Sequence, residues 1–299
     1  MIVDQMKLTC YETHIHTPMC GHARGSLGDY AEVARRRNLK GIYVTDHCPM
    51  PESYEHQGRI ARDRLSEYVE MVVQAGRDWA GRVDVVLGIE SDWLPGMEPW
   101  LERLHRQADF QYVLGSIHCH LPDYRRLYLT DNALAFQMQY FTHLAQAAET
   151  GLFDALAHPD LVKDIHPDQW QVSRLLTHLK TCLDRIASTG VAMELNTGAE
   201  KKALAEWRPG VEILKLMNER GIPVVIGSDA HEPEQVAKHL PSALNMLKEI
   251  GFATTSYYRG RRRLDVPIAD AIASLKQQAV ASESMPLRSG PHPEQDRSG

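Results

Sequence analysis

The chain has 299 residues, of which 43% are hydrophobic and 24% charged, an ordinary balance for a globular protein and enough length for one barrel. A net charge of −6 excludes the positive surface that non-specific nucleic-acid or membrane-surface binding requires. No apolar run approaches the ~18 residues of a membrane span. Met1 to Cys10 lacks the basic-then-apolar order of a secretory leader, so the expected compartment is the cytoplasm.

Apolar, β-branched runs recur along the chain with amphipathic segments between them. Strands are expected at Leu8 to Thr13, Gly41 to Thr45, Val83 to Ile89, Tyr112 to Ile117, Ala155 to Ala157, Val191 to Asn196 and Val224 to Gly227. Helices are expected at Leu27 to Arg37, Arg62 to Trp79, Leu134 to Thr150, Gln171 to Ser188, Val211 to Arg220 and Leu240 to Ile250, before a final strand at Thr254 to Tyr258. The run Arg261 to Arg263 reads as a solvated turn. From Ala281 to Gly299 the composition turns to Ser, Pro, Gly and charge, and a disordered tail is expected after a single domain over 1–280.

Such alternation specifies a parallel sheet with covering helices, either open or closed into a barrel. Polar residues decide between them. Nearly every expected strand ends in a histidine or carboxylate, and only a ring of strand ends can focus that many groups on one point. The expected fold is therefore α/β, a distorted (β/α)7 TIM-like barrel with its site at the C-terminal ends of the strands.

Seven of the fifteen histidines occupy such ends: His14, His16, His22, His47, His118, His158 and His231, joined by Glu90 and Asp229. Imidazole and carboxylate are the usual ligands of zinc, manganese and iron. Nine groups exceed the roughly four to six that one ion takes, which points to a multinuclear metallohydrolase. Residues two apart on an extended chain share a face, so Thr13-His14-Ile15-His16 aims two imidazoles the same way. Five cysteines, odd in number and without C-x-x-C spacing, argue against a disulfide framework. Cys20, Cys48 and Cys119, beside the expected ligands, read as small buried hydrophobes. His56, His105, His143, His166, His178, His239 and His292 read as ordinary surface residues.

Several stretches together resemble the PHP (polymerase and histidinol phosphatase) superfamily. They are His14-Ile15-His16-Thr17-Pro18, Cys20-Gly21-His22-Ala23, Thr45-Asp46-His47-Cys48-Pro49-Met50-Pro51 and Gly88-Ile89-Glu90-Ser91-Asp92. Gly115-Ser116-Ile117-His118, His158-Pro159-Asp160-Leu161 and Gly227-Ser228-Asp229-Ala230-His231 complete the set. Within the superfamily the pattern is most similar to the histidinol-phosphate phosphatases. The resemblance implies a distorted barrel with three divalent ions (Zn, Mn or Fe). His14, His16, Glu90 and Asp229 would hold one, Glu90 with His118 and His158 the second, and His22, His47 and His231 the third. Asp46 would steer a neighbouring ring or a bound water.

Clustered divalent ions suit phosphomonoester hydrolysis, because they generate hydroxide near neutral pH and neutralise charge on the phosphoryl oxygens. The expected mechanism is attack of a metal-bridging hydroxide on phosphorus, with Glu90 as the bridging carboxylate and His231 or a metal-bound water as leaving-group acid. The expected partner is a small phosphate ester rather than nucleic acid or membrane. In the family's histidinol phosphatases a loop after the sixth strand usually offers Arg-Lys-Pro and then Tyr-Pro. Here Lys201 stands for the arginine and Arg208 for the tyrosine, so Lys201, Lys202, Arg208 and His120 are the candidate substrate contacts. Histidinol phosphate ranks first, other small phosphomonoesters and nucleotides next. An amidohydrolase-type C–N hydrolase and a non-catalytic module are the remaining alternatives.

Overall fold

A computed structural model gives the fold; it describes residues 9–54, 57–198, 204 and 206–283, the last seven of these by backbone alone. Seven strands form one parallel sheet in chain order: β1 Tyr11–Ile15, β2 Gly41–Val44, β3 Asp84–Asp92, β4 Tyr112–Ser116, β5 Ala155–Leu156, β6 Ala192–Asn196 and β7 Val224–Gly227. Six of them are buried over their whole length, and β3 over its second half, which explains their near-continuous apolar sequences. The seam between β1 and β7 closes irregularly, through His16 N–H to the Ala230 carbonyl (2.8 Å) and Ala230 N–H to the His14 carbonyl (3.2 Å). The distorted seven-stranded barrel is therefore the observed architecture. β4 runs so near the Phe153 ring that a side chain at Gly115 would overlap it.

The outer layer comprises α1 Leu27–Arg36, α2 Leu65–Asp78, α3 Glu98–His105, α4 Pro122–Tyr128, α5 Ala133–Glu149, α6 Val172–Thr189, α7 Val211–Glu219, α8 Leu240–Ile250 and α9 Ile268–Glu283. Local chemistry sets several ends. Ser26 and Asp29 make a reciprocal capping box at the start of α1, and Asn132 caps α5. Gly190 and Gly251 end α6 and α8 in the left-handed conformation. α3 and α4, each under nine residues, and α9 lay outside the sequence-based expectation. The expected helix start at Arg62 is a single 3-10 turn, and the α-helix itself begins at Leu65.

The last expected strand exists as β8 Thr254–Arg259, but it does not join the barrel. It pairs antiparallel with β9 Arg262–Pro267. This hairpin seals the end of the barrel opposite the histidines. Tyr258 packs with Tyr11, Tyr43, Tyr112, Leu114, Ala155 and Val225. Its hydroxyl donates to the Asp154 carbonyl (2.6 Å), while the Tyr43 hydroxyl donates to the carbonyl of Tyr258. The hairpin also corrects the reading of Arg261 to Arg263. Arg261 donates to Asp154 Oδ2 (2.5 Å) and the Leu152 carbonyl (2.7 Å), leaving Arg262 and Arg263 at the surface. The expected tail falls almost wholly outside the described residues, and α9 runs through its first three positions. Among the described residues no helix is long and apolar enough to cross a membrane.

Candidate metal centre

The C-terminal strand ends deliver the nine expected groups to one place. His14 and His16 leave β1 on the same face, with Nε2 atoms 3.0 Å apart. Asp229, just past β7, places Oδ1 3.0 Å from His16 Nε2 and 3.5 Å from His14 Nε2. Glu90 sits within β3, fully buried, and its two oxygens face different partners. Oε2 lies 2.7 Å from His47 Nδ1, 3.5 Å from His14 Nε2 and 3.7 Å from His16 Nε2. Oε1 lies 3.1 Å from His158 Nε2 and 3.6 Å from His118 Nε2. His22 and His231 bring their Nε2 atoms to 2.9 Å, and His47 lies within reach of both.

The far side of each ring decides what the near side offers. His231 Nδ1 lies 2.9 Å from the Asp229 carbonyl and His22 Nδ1 3.2 Å from the Cys20 carbonyl. A carbonyl only accepts, so these nitrogens carry the protons and both Nε2 atoms present bare lone pairs to each other. Burial holds the His231 imidazolium down to about 4, with His16 adding to the effect, so its ring is neutral at pH 7. Burial likewise presses His47 down to about 3 against the opposing pull of Glu90. His14 Nδ1 is 2.8 Å from Glu194 Oε1, and His16 Nδ1 is 3.4 Å from Asp46 Oδ1. His47 Nδ1 and Glu90 Oε2, both buried, make no hydrogen bond despite their proximity. Lone pairs meeting at about 3 Å repel unless a cation lies between them. Two metal–nitrogen bonds of about 2.0–2.1 Å separate their nitrogens by about 2.9–3.4 Å. The donor set and its spacing fit divalent ions.

Two of these groups sit in strained backbone. His158 has φ 28° and Asp229 φ 52°, in or near the left-handed region that non-glycine residues avoid, at a cost of about 1–3 kcal/mol each. Glu90 and Asp229 are held well below the usual carboxylate range. Burial opposes this, but His118 and His14 outweigh it at Glu90, and His14 and His16 at Asp229.

Of the groups that support the cluster, Asp46 was expected from sequence, whereas Glu194, Asp92 and Glu12 were not singled out. Glu194, in mid-β6, takes His14 on Oε1, and on Oε2 accepts from His158 N–H (2.8 Å) and Asn196 Nδ2 (3.0 Å). A lone carboxylate inside an otherwise apolar strand was the available signal. Asp92, two residues past Glu90 on the same face, holds His118 Nδ1 with one oxygen and the Arg59 guanidinium with the other. Asp46 is fully buried beside His16 and receives the Thr17 hydroxyl and the Thr17 N–H (3.3 Å). Glu12 accepts from the N–H groups of His14, Ser228 and Ala237, tying β1 to the loop after β7.

A cavity of about 410 Å3 opens over the cluster. Arg208 lines it; its backbone pairs with Asn196 and its guanidinium donates to Asp164 Oδ2 (2.5 Å). His120 lines it too, its ring edge-on to His118 at 5.5 Å. Lys201 and Lys202 lie outside the described residues, as do His56 and His292. All five cysteines are free and buried. Of the histidines expected at the surface, His143 is buried and the other four described are half-buried. His143 is buried between Tyr124 and Gln139, His105 bonds Ser91, and His178 contacts Thr142 between α5 and α6.

The PHP domain family model matches residues 12–198, more than half of the chain. The chain belongs to the PHP family. A probable histidinol-phosphatase of Deinococcus radiodurans is 35% identical over 253 residues, covering 82% of this chain and 95% of that one. The histidinol-phosphatase of Bacillus subtilis is 25% identical, covering 75% and 94%. In fold, this PHP protein is similar to the histidinol phosphate phosphatase of Lactococcus lactis, solved with zinc, L-histidinol and phosphate. There the TM-score is 0.73 at 16% identity, covering 86% of this chain and all of that one.

Proposed function

We propose that this PHP protein is a metal-dependent phosphomonoesterase whose substrate is L-histidinol phosphate, cleaved by water to L-histidinol and phosphate. The observation that carries the reading is the convergence of imidazole nitrogens and carboxylate oxygens at about 3 Å. The names of the relatives at 35% and 25% identity support the substrate. His14, His16, Glu90 and Asp229 would hold one cation, Glu90, His118 and His158 a second, and His22, His47 and His231 a third. When bound, such ions lower the pKa of water towards ~7 and neutralise charge on a phosphoryl group. Glu194, Asp46 and Asp92 keep His14, His16 and His118 in one tautomer and orientation. Both nitrogens of His231 are engaged, so it is proposed as a ligand rather than the leaving-group acid. Arg208 and His120, with Lys201 and Lys202 from the same loop region as Arg208, are proposed substrate contacts.

A cavity of about 410 Å3 suits a small ester rather than a polymer. The test is phosphate release from a panel of small monoesters after loading with zinc, manganese or iron. A kcat/KM for histidinol phosphate at least tenfold above nucleotides and sugar phosphates is expected. Comparable rates across the panel would refute the substrate, and no release from any member would refute the phosphatase.

A further inference from the structure

Among the described residues lining the cavity, two carry a permanent positive charge, Arg208 and Arg59. Arg208 already has a proposed part; Arg59 has none. It lies in the connection between β2 and α2, where Ile60 N–H donates to the His47 carbonyl (3.1 Å) and fixes the loop against the site. The Arg59 side chain is 4% exposed. Nη1 is committed to Asp92 Oδ2, while Nε is buried without a hydrogen-bond partner. Asp92 stands on β3, whereas the Arg208 guanidinium is held by Asp164 past β5, so the two guanidiniums line the cavity from different strands.

A fixed cation that shares Asp92 with His118 works against a site that only collects cations, because like charges repel most strongly where water is excluded. The arrangement becomes favourable when a multiply charged anion occupies the cavity. A guanidinium held by one carboxylate also presents its remaining N–H donors in a fixed plane, the geometry that phosphoryl oxygens accept best. We propose that Arg59 contacts the phosphoryl group of the substrate, with Asp92 fixing the guanidinium in place. This rests on the phosphatase reading and adds a specificity residue to it.

The test compares Arg59→Gln with the parent enzyme, both loaded with the same metal, measuring metal content per chain, KM, kcat and the inhibition constant of inorganic phosphate. Loss of one charge-assisted contact predicts a KM and a phosphate inhibition constant raised about ten- to hundredfold, with metal content unchanged. An unchanged phosphate inhibition constant would overturn the assignment. So would a fall in metal content that accounts for all lost activity, since that is what a residue acting only through Asp92 on His118 would give. Asp92→Asn supplies that comparison and is expected to lose metal where Arg59→Gln does not. Should Arg59→Gln fail to fold, Arg59→Lys keeps the charge but loses the fork; it should raise the phosphate inhibition constant several-fold, and no change would equally overturn the proposal. If the parent enzyme releases no phosphate from any ester, the phosphatase reading has failed instead.

Discussion

Glu194 offers the sharpest test of how the centre is held together. Replacing it with Gln keeps the volume but puts an amide where a carboxylate took His14 Nδ1 at 2.8 Å and the His158 N–H at 2.8 Å. One amide oxygen cannot serve both. If it stays with His158, the amide NH2 faces His14, which must move its proton to Nε2, the nitrogen aimed at His16 and Asp229. That removes one lone pair from the cluster. A hydrogen bond to a charged group contributes about 1.5–3 kcal/mol, or roughly ten- to hundredfold in affinity, matching the usual 10–100-fold effect of such partners on metal sites. Competition with a chromophoric chelator should show metal affinity reduced by about that factor, with kcat/KM following. Stability of the metal-stripped protein should fall, because the buried His14 loses the carboxylate paired with it. Metal affinity within twofold of the parent would refute the argument that Glu194 sets the His14 tautomer.

Stripping the cations with a chelator should abolish turnover and lower the thermal midpoint, and readdition of zinc or manganese should restore both; retained turnover would exclude the metal reading. At Gly227 a Cβ would overlap the Glu194 carboxylate and sit 2.6 Å from His14 Cβ. Gly227→Ala should therefore cost about 1–3 kcal/mol in chemical denaturation and reduce metal affinity as well. Burial holds His105 and His143 each down to about 4, below the ordinary ~6.5 of an unfolded histidine. Between those values the unfolded chain binds more protons, so stability from these two groups is present at pH 7 and lost as pH falls towards 4. Denaturation midpoints that stay flat from pH 7 to 4.5 would contradict this.

The barrel and its ring of histidines could be read from sequence because their signals are local: an apolar run, then a polar cluster, repeated. What escaped depends on partners distant in the chain. Glu194 is 180 residues from His14, and only the curvature of the sheet brings it there. Arg59 lies in a polar loop and looks like any solvated arginine until Asp92 is placed beside it. β8 was legible as a strand, but its detachment from the barrel was not, because β9 carries a charged sequence, Arg-Arg-Leu-Asp-Val-Pro, that alternation alone does not mark as a partner. The short helices α3 and α4 each begin with proline in the first turn, a usable signal overshadowed by their length.

The tyrosine floor of the barrel has a consequence for where the molecule can be cut. The family match ends at residue 198, yet the hydroxyl of Tyr43 finds its acceptor on Tyr258, sixty positions later. A fragment stopping before Thr254 would leave Tyr11, Tyr43 and Tyr112 open to water from below. It would also withdraw Arg261 from Asp154, leaving that sunken acid without its counter-charge. Truncation libraries should therefore lose soluble product abruptly once the terminus retreats past the hairpin, well before His231 or any other candidate ligand is removed.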